Sequence, residues 1–371
     1  MADGLYKPLP RVADYAQDDT LPRLNLGLRP ALLLILLGGL VMLFLLSLAL
    51  GSVSIPPDQI LDVLMGGQAE SVAWTNIILK IRLPKALTAI LAGAALGVSG
   101  LMMQTFFRNP LADPFVLGIS SGASLGVALV VMAAGTVGGA LLVGFGLSGD
   151  LVVILAAGMG AALTLVIVFV AASRVQSSMT LLILGLMMGY IVSALVSLIL
   201  YFAIPERIQA YVSWTFGSFG GVTWQQIPLL AGAVVIGLAG ALLLTKSLNA
   251  LLLSESYARS MGLNVGRVRL AIVTCTALMT GAVTAFCGPI AFLGIAVPHV
   301  ARGVLRTSDH RLLVPATMLI GALTALAAAL IAEVPGHTLI LPLNAVTALI
   351  GAPIVVWVIL RQRSLQRTFA A

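Results

Sequence analysis

Ten runs of about 20 apolar residues dominate this 371-residue chain and constrain its fold more than any other feature. A helix of that length is what the hydrocarbon core of a bilayer requires. With 60% apolar and only 9% charged residues, the chain is incompatible with a single soluble domain and with disorder. The sequence therefore predicts an all-α polytopic membrane protein with about ten transmembrane helices. They are placed near residues 30–50, 83–105, 115–133, 150–172, 181–203, 227–246, 269–287, 289–305, 312–333 and 343–361.

The distribution of Lys and Arg predicts how these helices are oriented. Cytoplasmic loops of membrane proteins carry an excess of both residues. With the N-terminus inside, sixteen basic residues fall on the cytoplasmic side and four fall outside. A single kinked helix across Gly288-Pro289 would scramble this asymmetry, so we place two spans there. Both termini are then cytoplasmic. The retention of basic residues in cytoplasmic loops also explains the net charge of +7, so the charge does not indicate a nucleic-acid partner.

The spans form one membrane domain with two short tails. Residues 1–28 are polar and mixed in charge and are predicted to be a cytoplasmic tail, 29–365 the transmembrane domain and 366–371 a second cytoplasmic tail. Ten spans divide into two sets of five. An odd number per set means that an internal repeat must be inverted in the membrane. We therefore expect two inverted five-helix halves.

Little in the sequence would support ion coupling or chemistry inside the membrane. None of the thirteen acidic residues lies mid-span, and the three histidines lie near span ends or in loops. Proton- or sodium-driven carriers usually need intramembrane ionisable groups, and metalloenzymes need clustered ligands. The stretch Gly240–Ser247 approaches the phosphate-binding loop pattern but has Thr245 where its second glycine belongs. We expect no metal or cofactor on this chain, and any ATP-driven step must come from a partner.

The longest predicted cytoplasmic segment between spans, about 247–268, has the pattern of a short helix. Ser254 is placed to cap it, and Gly262 stands where it would end. Ala258 and Met261 are three residues apart and can share one face, with Tyr257 at its edge. Such a helix can fit a cleft on another protein and transmit force to the membrane domain. A helix lying at the interface with no partner is the alternative.

Several motifs occur in an order that resembles a known family. They are R-L-P-K at 82–85, G-A-A-L-G-V-S-G at 93–100 with M-Q at 103–104, N-P-L-A-D-P at 109–114, L-G-I-S-S-G-A at 117–123, G-P-I-A-F-L-G at 288–294 and the segment 347–353. Together they resemble the permeases of binding-protein-dependent ABC importers for iron–siderophore complexes, haem and cobalamin, the FecCD-type family. The resemblance extends from about residue 80 to residue 361.

The resemblance implies a set of partners and a location. Permeases of this family pair as homodimers, or with a related chain, among the lipids of the bacterial cytoplasmic membrane. Two ATPase subunits that bind ATP and Mg²⁺ lie below them, and a periplasmic or lipoprotein substrate-binding protein docks above. The permease itself catalyses no reaction. Ferric siderophore import is the expected function, with haem or cobalamin import as the alternative and a secondary transporter as the remaining rival.

The resemblance also implies roles for individual residues. Arg82 and Lys85 match an outward-facing basic pair that receives acidic residues of the binding protein, and anchoring at the membrane interface is the alternative. A second set would couple the permease to the ATPase by entering its cleft. These residues are Ser254, Glu255, Tyr257, Ala258, Met261 and Gly262.

The fifth span carries small and hydroxyl residues at helical spacing. Gly189, Ser193 and Ser197 recur every four residues and Tyr201 continues the series, so all four fall on one stripe. In similar permeases this helix lines the translocation route. Small hydroxyls would leave a wide, weakly polar tunnel for a bulky chelate. Helix packing through small residues is the alternative.

Overall fold

The computed structural model describes residues 28–133, 149–174, 178–334, 336 and 339–368, and every regular element in these ranges is helical. A π-helical turn, Ile77–Arg82, leads into α4, and a 3-10 turn, Pro114–Leu117, precedes α5. Of the two predicted tails, residues 1–27 and 369–371 lie outside the described residues. Residue 28 begins the first helix, and residues 366–368 end the last one. The helices are α1 (Leu28–Ala49), α2 (Pro57–Leu64), α3 (Val72–Asn76), α4 (Leu83–Phe106), α5 (Ile119–Ala133), α6 (Gly149–Arg174), α7 (Ser178–Tyr201), α8 (Pro205–Thr215), α9 (Ile227–Leu243), α10 (Thr245–Leu253), α11 (Glu255–Ser260), α12 (Val265–Cys287), α13 (Leu293–Leu305), α14 (His310–Ala332) and α15 (Leu343–Thr368).

Each of the ten predicted spans falls on one of these helices. Six helical stretches in the described ranges are long and apolar enough to cross a membrane, the longest running continuously from Val72 to Phe106. Helices α9 and α10 together are also long and apolar enough, and they are bent by 54° at Leu244. Three shorter apolar stretches, α5, α13 and the part Leu343–Trp357 of α15, account for the rest. The predicted all-helical membrane fold is confirmed.

The chain breaks at Gly288-Pro289, as the charge asymmetry predicts. Helix α12 ends at Cys287, and Gly288 adopts a φ of 75°, a conformation that glycine accepts without the strain of a side chain. Phe292, at a φ of 69°, precedes the first residue of α13. The structure therefore has two helices here, as predicted, and not a single kinked helix.

Contacts between loops sort the helix ends into two groups. At one end, Arg108 Nη2 donates a hydrogen bond to the carbonyl of Leu253 at 3.3 Å. At the other end, the Gly336 amide donates to the Gly51 carbonyl at 3.0 Å, and the Ser218 amide to the Cys287 carbonyl at 2.8 Å. The grouping agrees with the alternating passes of a ten-span chain. We call the first group the predicted cytoplasmic end and the second the predicted external end.

Helix α4 lies at the centre of the bundle, because 83% of the apolar window that contains it is buried, against 6% for α1. The helix pairing repeats between the two halves of the chain. Helix α4 packs on α14 as α12 packs on α6, and α5 contacts α7 as α13 contacts α15. Two related five-helix units would produce this pattern, and an odd number of spans per unit requires them to be inverted.

Candidate functional site

The predicted coupling segment 254–262 folds into a short, capped helix. The Ser254 hydroxyl accepts a hydrogen bond from the Tyr257 amide at 2.9 Å, which satisfies one of the free N–H groups at the start of α11. After the helix, Gly262 takes a φ of +82°, and the Leu263 amide returns to the Ala258 carbonyl at 3.0 Å. The cap and the stop both fall where the sequence predicts them.

The exposed face of this helix differs from the expected one. Tyr257 is 45% exposed and Met261 is 59% exposed, whereas Ala258 is fully buried against the rest of the chain. Ala258, which is predicted to enter the ATPase cleft with Met261, therefore packs against this chain. Because Ala258 is small, α11 can lie close to the bundle with its two large side chains directed outward.

Glu255 joins α11 to the membrane domain through charge. Its carboxylate lies 3.5 Å from the guanidinium of Arg269 on α12 and 3.9 Å from that of Arg259. Arg269 is only 5% exposed and stacks over the ring of Phe106 on α4, with 5.8 Å between the guanidinium carbon and the ring centre. The segment is thus anchored to two core helices.

A polar cluster behind α11 was not foreseen from the sequence. Asn249 on α10 donates to the Asp309 carboxylate at 2.6 Å and accepts from the His310 amide at 2.9 Å. The His310 ring lies 2.8 Å from Asn249 Oδ1 on one side and 2.8 Å from Thr105 Oγ1 on the other. Burial would raise the pKa of Asp309, but hydrogen bonds from Arg311 and Asn249 lower it overall. Three helices, α10, α4 and α14, therefore meet at one hydrogen-bonded node.

A second polar contact links α4 and α13 at the same end. Arg302 donates to Gln104 Oε1 at 2.7 Å, and the Gln104 amide donates to the Ile295 carbonyl at 3.3 Å. His299 bonds the Pro110 carbonyl at 2.9 Å. These partners satisfy polar groups that would be costly to bury alone.

Arg82 and Lys85, the predicted docking pair, both have partners within this chain. Arg82 is only 6% exposed, and its guanidinium donates to the carbonyls of Leu48 at 2.7 Å, Ala49 at 3.0 Å and Val53. Lys85 forms an ion pair with Glu333 at the end of α14. Both cations hold the predicted external end of this chain together, and their docking to the binding protein stays a prediction.

The predicted external end contains a cleft of about 300 Å³ between α6, α8 and the end of α12. Beside this cleft, the Asn344 side chain connects three segments of the chain. Its amide donates to the carbonyls of Thr215 at 2.8 Å and Pro289 at 2.6 Å, while its oxygen accepts from the Ala291 amide at 2.9 Å. One side chain therefore joins α8, the α12–α13 break and the start of α15. The lining residues include Ser213, Trp214, Ser218, Phe286 and Cys287.

The stripe on α7 divides into two parts. Ser193 and Ser197 are exposed, as is Tyr201 at 80%, whereas Gly189 is partly buried, and a β-carbon there would lie 3.5 Å from Ser121 Oγ. The Ser197 hydroxyl donates to the Ser193 carbonyl at 2.9 Å. The exposed part faces away from the contacts that α7 makes within this chain. Those contacts use a neighbouring stripe that includes Leu181, Gly185, Val192 and Val196.

Within the described ranges, no group of three His, Cys, Asp or Glu side chains is arranged to hold a metal ion. Two ionisable groups near the helix ends are instead paired within the chain, Arg302 with the side-chain amide oxygen of Gln104 and Lys85 with Glu333. The arrangement is that of a helical bundle with an anchored helix projecting at one end and a cleft at the other.

Comparison with known proteins agrees with this geometry. The chain is 38% identical over 324 residues to the vitamin B12 import system permease protein BtuC of Klebsiella pneumoniae, covering 87% of this chain and 92% of the relative. It is 33% identical over 342 residues to a protein named as an ABC transporter permease in Methanocaldococcus jannaschii, covering 87% and 96%. A solved structure titled as an inward-facing metal-chelate type ABC transporter matches with a TM-score of 0.76 at 28% identity, covering 88% of this chain and 99% of that one. The sequence profile of the FecCD transport family matches residues 39–361, and the chain is therefore a transmembrane ABC importer permease of the FecCD family, a protein of the inner membrane.

Proposed function

We propose that this chain is the membrane-spanning subunit of an importer that carries a metal chelate across the bacterial cytoplasmic membrane, driven by a separate ATPase. The observation that carries the proposal is α11, a capped helix whose Tyr257 and Met261 project from the end of a buried bundle. The identity to a vitamin B12 permease supports cobalamin as cargo as strongly as the motif resemblance supports a ferric siderophore. Haem is a third cargo of the same class.

In this proposal the residues of segment 254–262 have separate tasks. Tyr257 and Met261 contact the cleft of the ATPase, which binds ATP and Mg²⁺. Ser254 and Gly262 set the two ends of the helix, and Glu255 connects it to α12. Movement of the cleft during the ATPase cycle then displaces α11, and the permease alternates between outward-open and inward-open states with different affinities for the partner.

The remaining surfaces fit the same assembly. A second copy of the chain, or a related chain, packs so that the exposed stripe of Ser193, Ser197 and Tyr201 borders the translocation route. The binding protein docks at the predicted external end, where it meets Lys85 and its partner Glu333 rather than two unpaired cations. In this orientation the N- and C-termini are cytoplasmic, because Lys and Arg are concentrated at the coupling end.

Reconstitution tests the function and the cargo together. The chain is placed in proteoliposomes with its ATPase and binding protein, and uptake of cyanocobalamin, a ferric siderophore and haem is measured in parallel. We expect ATP-dependent accumulation of one of these chelates. Accumulation driven by a proton gradient in vesicles that lack the ATPase would contradict the proposal.

A matched pair of methionine variants tests the coupling surface. Met261→Glu places a charge on the proposed ATPase contact, whereas Met65→Glu makes the same change at a 79% exposed methionine on the opposite end. We expect Met261→Glu to reduce the amount of ATPase that co-purifies with the permease and Met65→Glu to leave it unchanged. Equal retention by the two variants would show that α11 is not the contact.

A further inference from the structure

Three polar side chains from three helices meet in the protein interior behind the coupling segment. We propose that Asn249, His310 and Thr105 form the mechanical link that passes movement of α11 to the α4–α14 pair. The inference deepens the function proposed above and rests on it. Thr105 and His310 are 2% and 1% exposed and Asn249 is partly buried, so the link runs from the edge of the bundle into its interior.

Asn249 suits this position because it both donates and accepts. Its Nδ2 donates to the Asp309 carboxylate at 2.6 Å, and its Oδ1 accepts from the backbone and ring nitrogens of His310 at 2.9 and 2.8 Å. Asp309 also caps α14 by accepting from the Arg311 amide at 3.0 Å. One amide therefore holds the first turn of α14 from both sides.

The His310 ring extends the link to α4. The Asp309 carboxylate requires Nδ2 of Asn249 to face it, so Oδ1 faces His310 and the ring proton lies on Nδ1. Nε2 of the neutral ring is then an acceptor, 2.8 Å from the Thr105 hydroxyl. This hydroxyl also lies 2.9 Å from the Leu101 carbonyl. A threonine in a helix commonly contacts the carbonyl four residues before it in this way.

The chain itself connects the coupling segment to the node. Helix α10 ends at Leu253 and α11 begins at Glu255, with only Ser254 between them. Displacement of α11 must therefore move α10. On α10, the two residues next to Asn249 in the sequence, Leu248 and Ala250, are buried. The hydrogen bonds from Asn249 hold α10 against the start of α14 with a defined geometry, because hydrogen bonds are directional.

The receiving helices behave as one body. Helices α4 and α14 touch backbone to backbone, since a β-carbon on Gly93 would lie 2.2 Å from the Gly321 carbonyl oxygen. Helix α4 also contacts α9, α12 and α13. A pull on Thr105 and His310 therefore reaches most of the bundle, whereas the Glu255–Arg269 pair acts on α12.

Substitutions at two buried threonines of α4 distinguish the proposed link from ordinary packing. Thr88 is a second buried threonine on α4, and its hydroxyl donates to the Pro84 carbonyl at 2.8 Å. The Thr105 hydroxyl lies at a similar distance from the Leu101 carbonyl but also has the His310 ring as an acceptor for its one proton. We expect Thr105→Val to lower the cargo transported per ATP hydrolysed by about fivefold in the reconstituted complex, with ATPase activity retained. Thr105→Ser and Thr88→Val should stay within about twofold of the parent chain. The cargo is cyanocobalamin or the ferric siderophore, whichever the parent complex takes up.

A charge exchange tests Asn249 in the same assay. In the single variant Asn249→Asp, two carboxylates face each other where Asn249 now donates a hydrogen bond to Asp309. In the double variant Asn249→Asp with Asp309→Asn, the donor is restored on residue 309. We expect the single variant to uncouple ATP hydrolysis from transport and the double variant to recover the ratio. The amount of assembled complex is measured by size exclusion, so that loss of folding is seen separately.

The outcomes distinguish two kinds of failure. If the parent complex transports with ATP but Thr105→Val behaves as Thr88→Val, the mechanical link is wrong and the proposed function stands. A proportional fall of ATPase activity and transport, or no recovery in the double variant, also overturns the link. A parent complex that transports nothing with ATP contradicts the proposed function and, with it, the link.

Discussion

Gly93 and Gly321 bring α4 and α14 into direct backbone contact: a β-carbon on either glycine would lie 2.2 Å from the carbonyl oxygen of the other. Small residues allow this approach in a membrane, where close packing replaces the hydrophobic effect as the force between helices. The pair fixes the separation of the two helices that surround the centre of the bundle.

Gly93→Ala should therefore disrupt the fold. The added methyl group meets backbone rather than a movable side chain, so the helices must separate, at a cost of about 1–3 kcal/mol or more. Gly38→Ala on α1 is the control, because a β-carbon added there would have no other atom within 4 Å. The melting temperature in detergent should fall for Gly93→Ala only, and equal temperatures would contradict the contact.

Arg82→Gln should destabilise the predicted external end. The guanidinium provides donors to three carbonyls where α1 ends, and a glutamine cannot reach all of them. We expect a loss of about 2–4 kcal/mol in unfolding free energy, seen as a lower melting temperature. Lys80→Gln, at an exposed position on the preceding turn, should leave it unchanged. A stable Arg82→Gln variant would mean that these carbonyls do not depend on Arg82.

Exchange of Lys85 and Glu333 should be tolerated better than either reversal alone. The single variants Lys85→Glu and Glu333→Lys each place like charges together, and the double variant restores an ion pair. Since both side chains are partly solvated, the effect on unfolding free energy is about 1 kcal/mol or less. Binding-protein affinity, measured on the purified complex, is the second readout. If the double variant is as unstable as the single ones, the two residues are not coupled.

Asn344→Leu should loosen the α12–α13 break. Three hydrogen bonds from the Asn344 side chain are lost, each worth about 1 kcal/mol. Cys287, beside the break and on the wall of the cleft, reports this opening in a Cys275→Ala background, where it is the remaining cysteine. We expect the rate of maleimide labelling to rise about tenfold or more. Unchanged labelling would show that Asn344 does not hold this turn.

Asp113→Asn should stabilise the protein at neutral pH but not in acid. Burial raises the pKa of Asp113 from 3.8 to about 6, against the opposing hydrogen bond from the Phe115 amide. A raised carboxyl pKa means that the folded state binds the proton more tightly, so this contribution to stability falls as pH rises from about 4 to about 6 and stays low above. Asparagine keeps the acceptor for Phe115 without the charge.

The expected gain at pH 7.5 is at most about 3 kcal/mol, from about two pKa units at 1.36 kcal/mol each. Melting temperatures of the two proteins should converge as the pH approaches 4. Asp58→Asn, at an exposed position on α2, is the control and should give no such convergence. A pH-independent difference between Asp113→Asn and the parent chain would contradict a raised pKa.

Local features were predicted from the sequence because neighbouring residues determine them. The ten spans follow from apolar runs, and the break at Gly288 follows from Lys and Arg asymmetry together with a glycine. The cap at Ser254 and the stop at Gly262 follow from backbone rules that operate within one turn of helix. None of these depends on what lies across the bundle.

The contacts that the sequence did not predict depend on partners far away along the chain. Arg82 looked like a surface cation until the end of α1, more than thirty residues earlier, supplied its carbonyls. Asn249 and Asn344 carried no sequence signal, because an asparagine in a helix becomes a link only when other chain segments bring donors and acceptors to it. The burial of Ala258 could not be predicted, because spacing gives the relative positions of side chains and not the side on which the bundle lies.

The sequence by itself determined the membrane-spanning fold, the division into spans and the family, because hydrophobicity, charge placement and motif order are properties of the linear chain. The tertiary structure alone decided which polar groups face solvent and which join helices together. The physical reason is that a buried polar group must find a partner, and in a helical bundle that partner lies on another helix, often a hundred or more residues away.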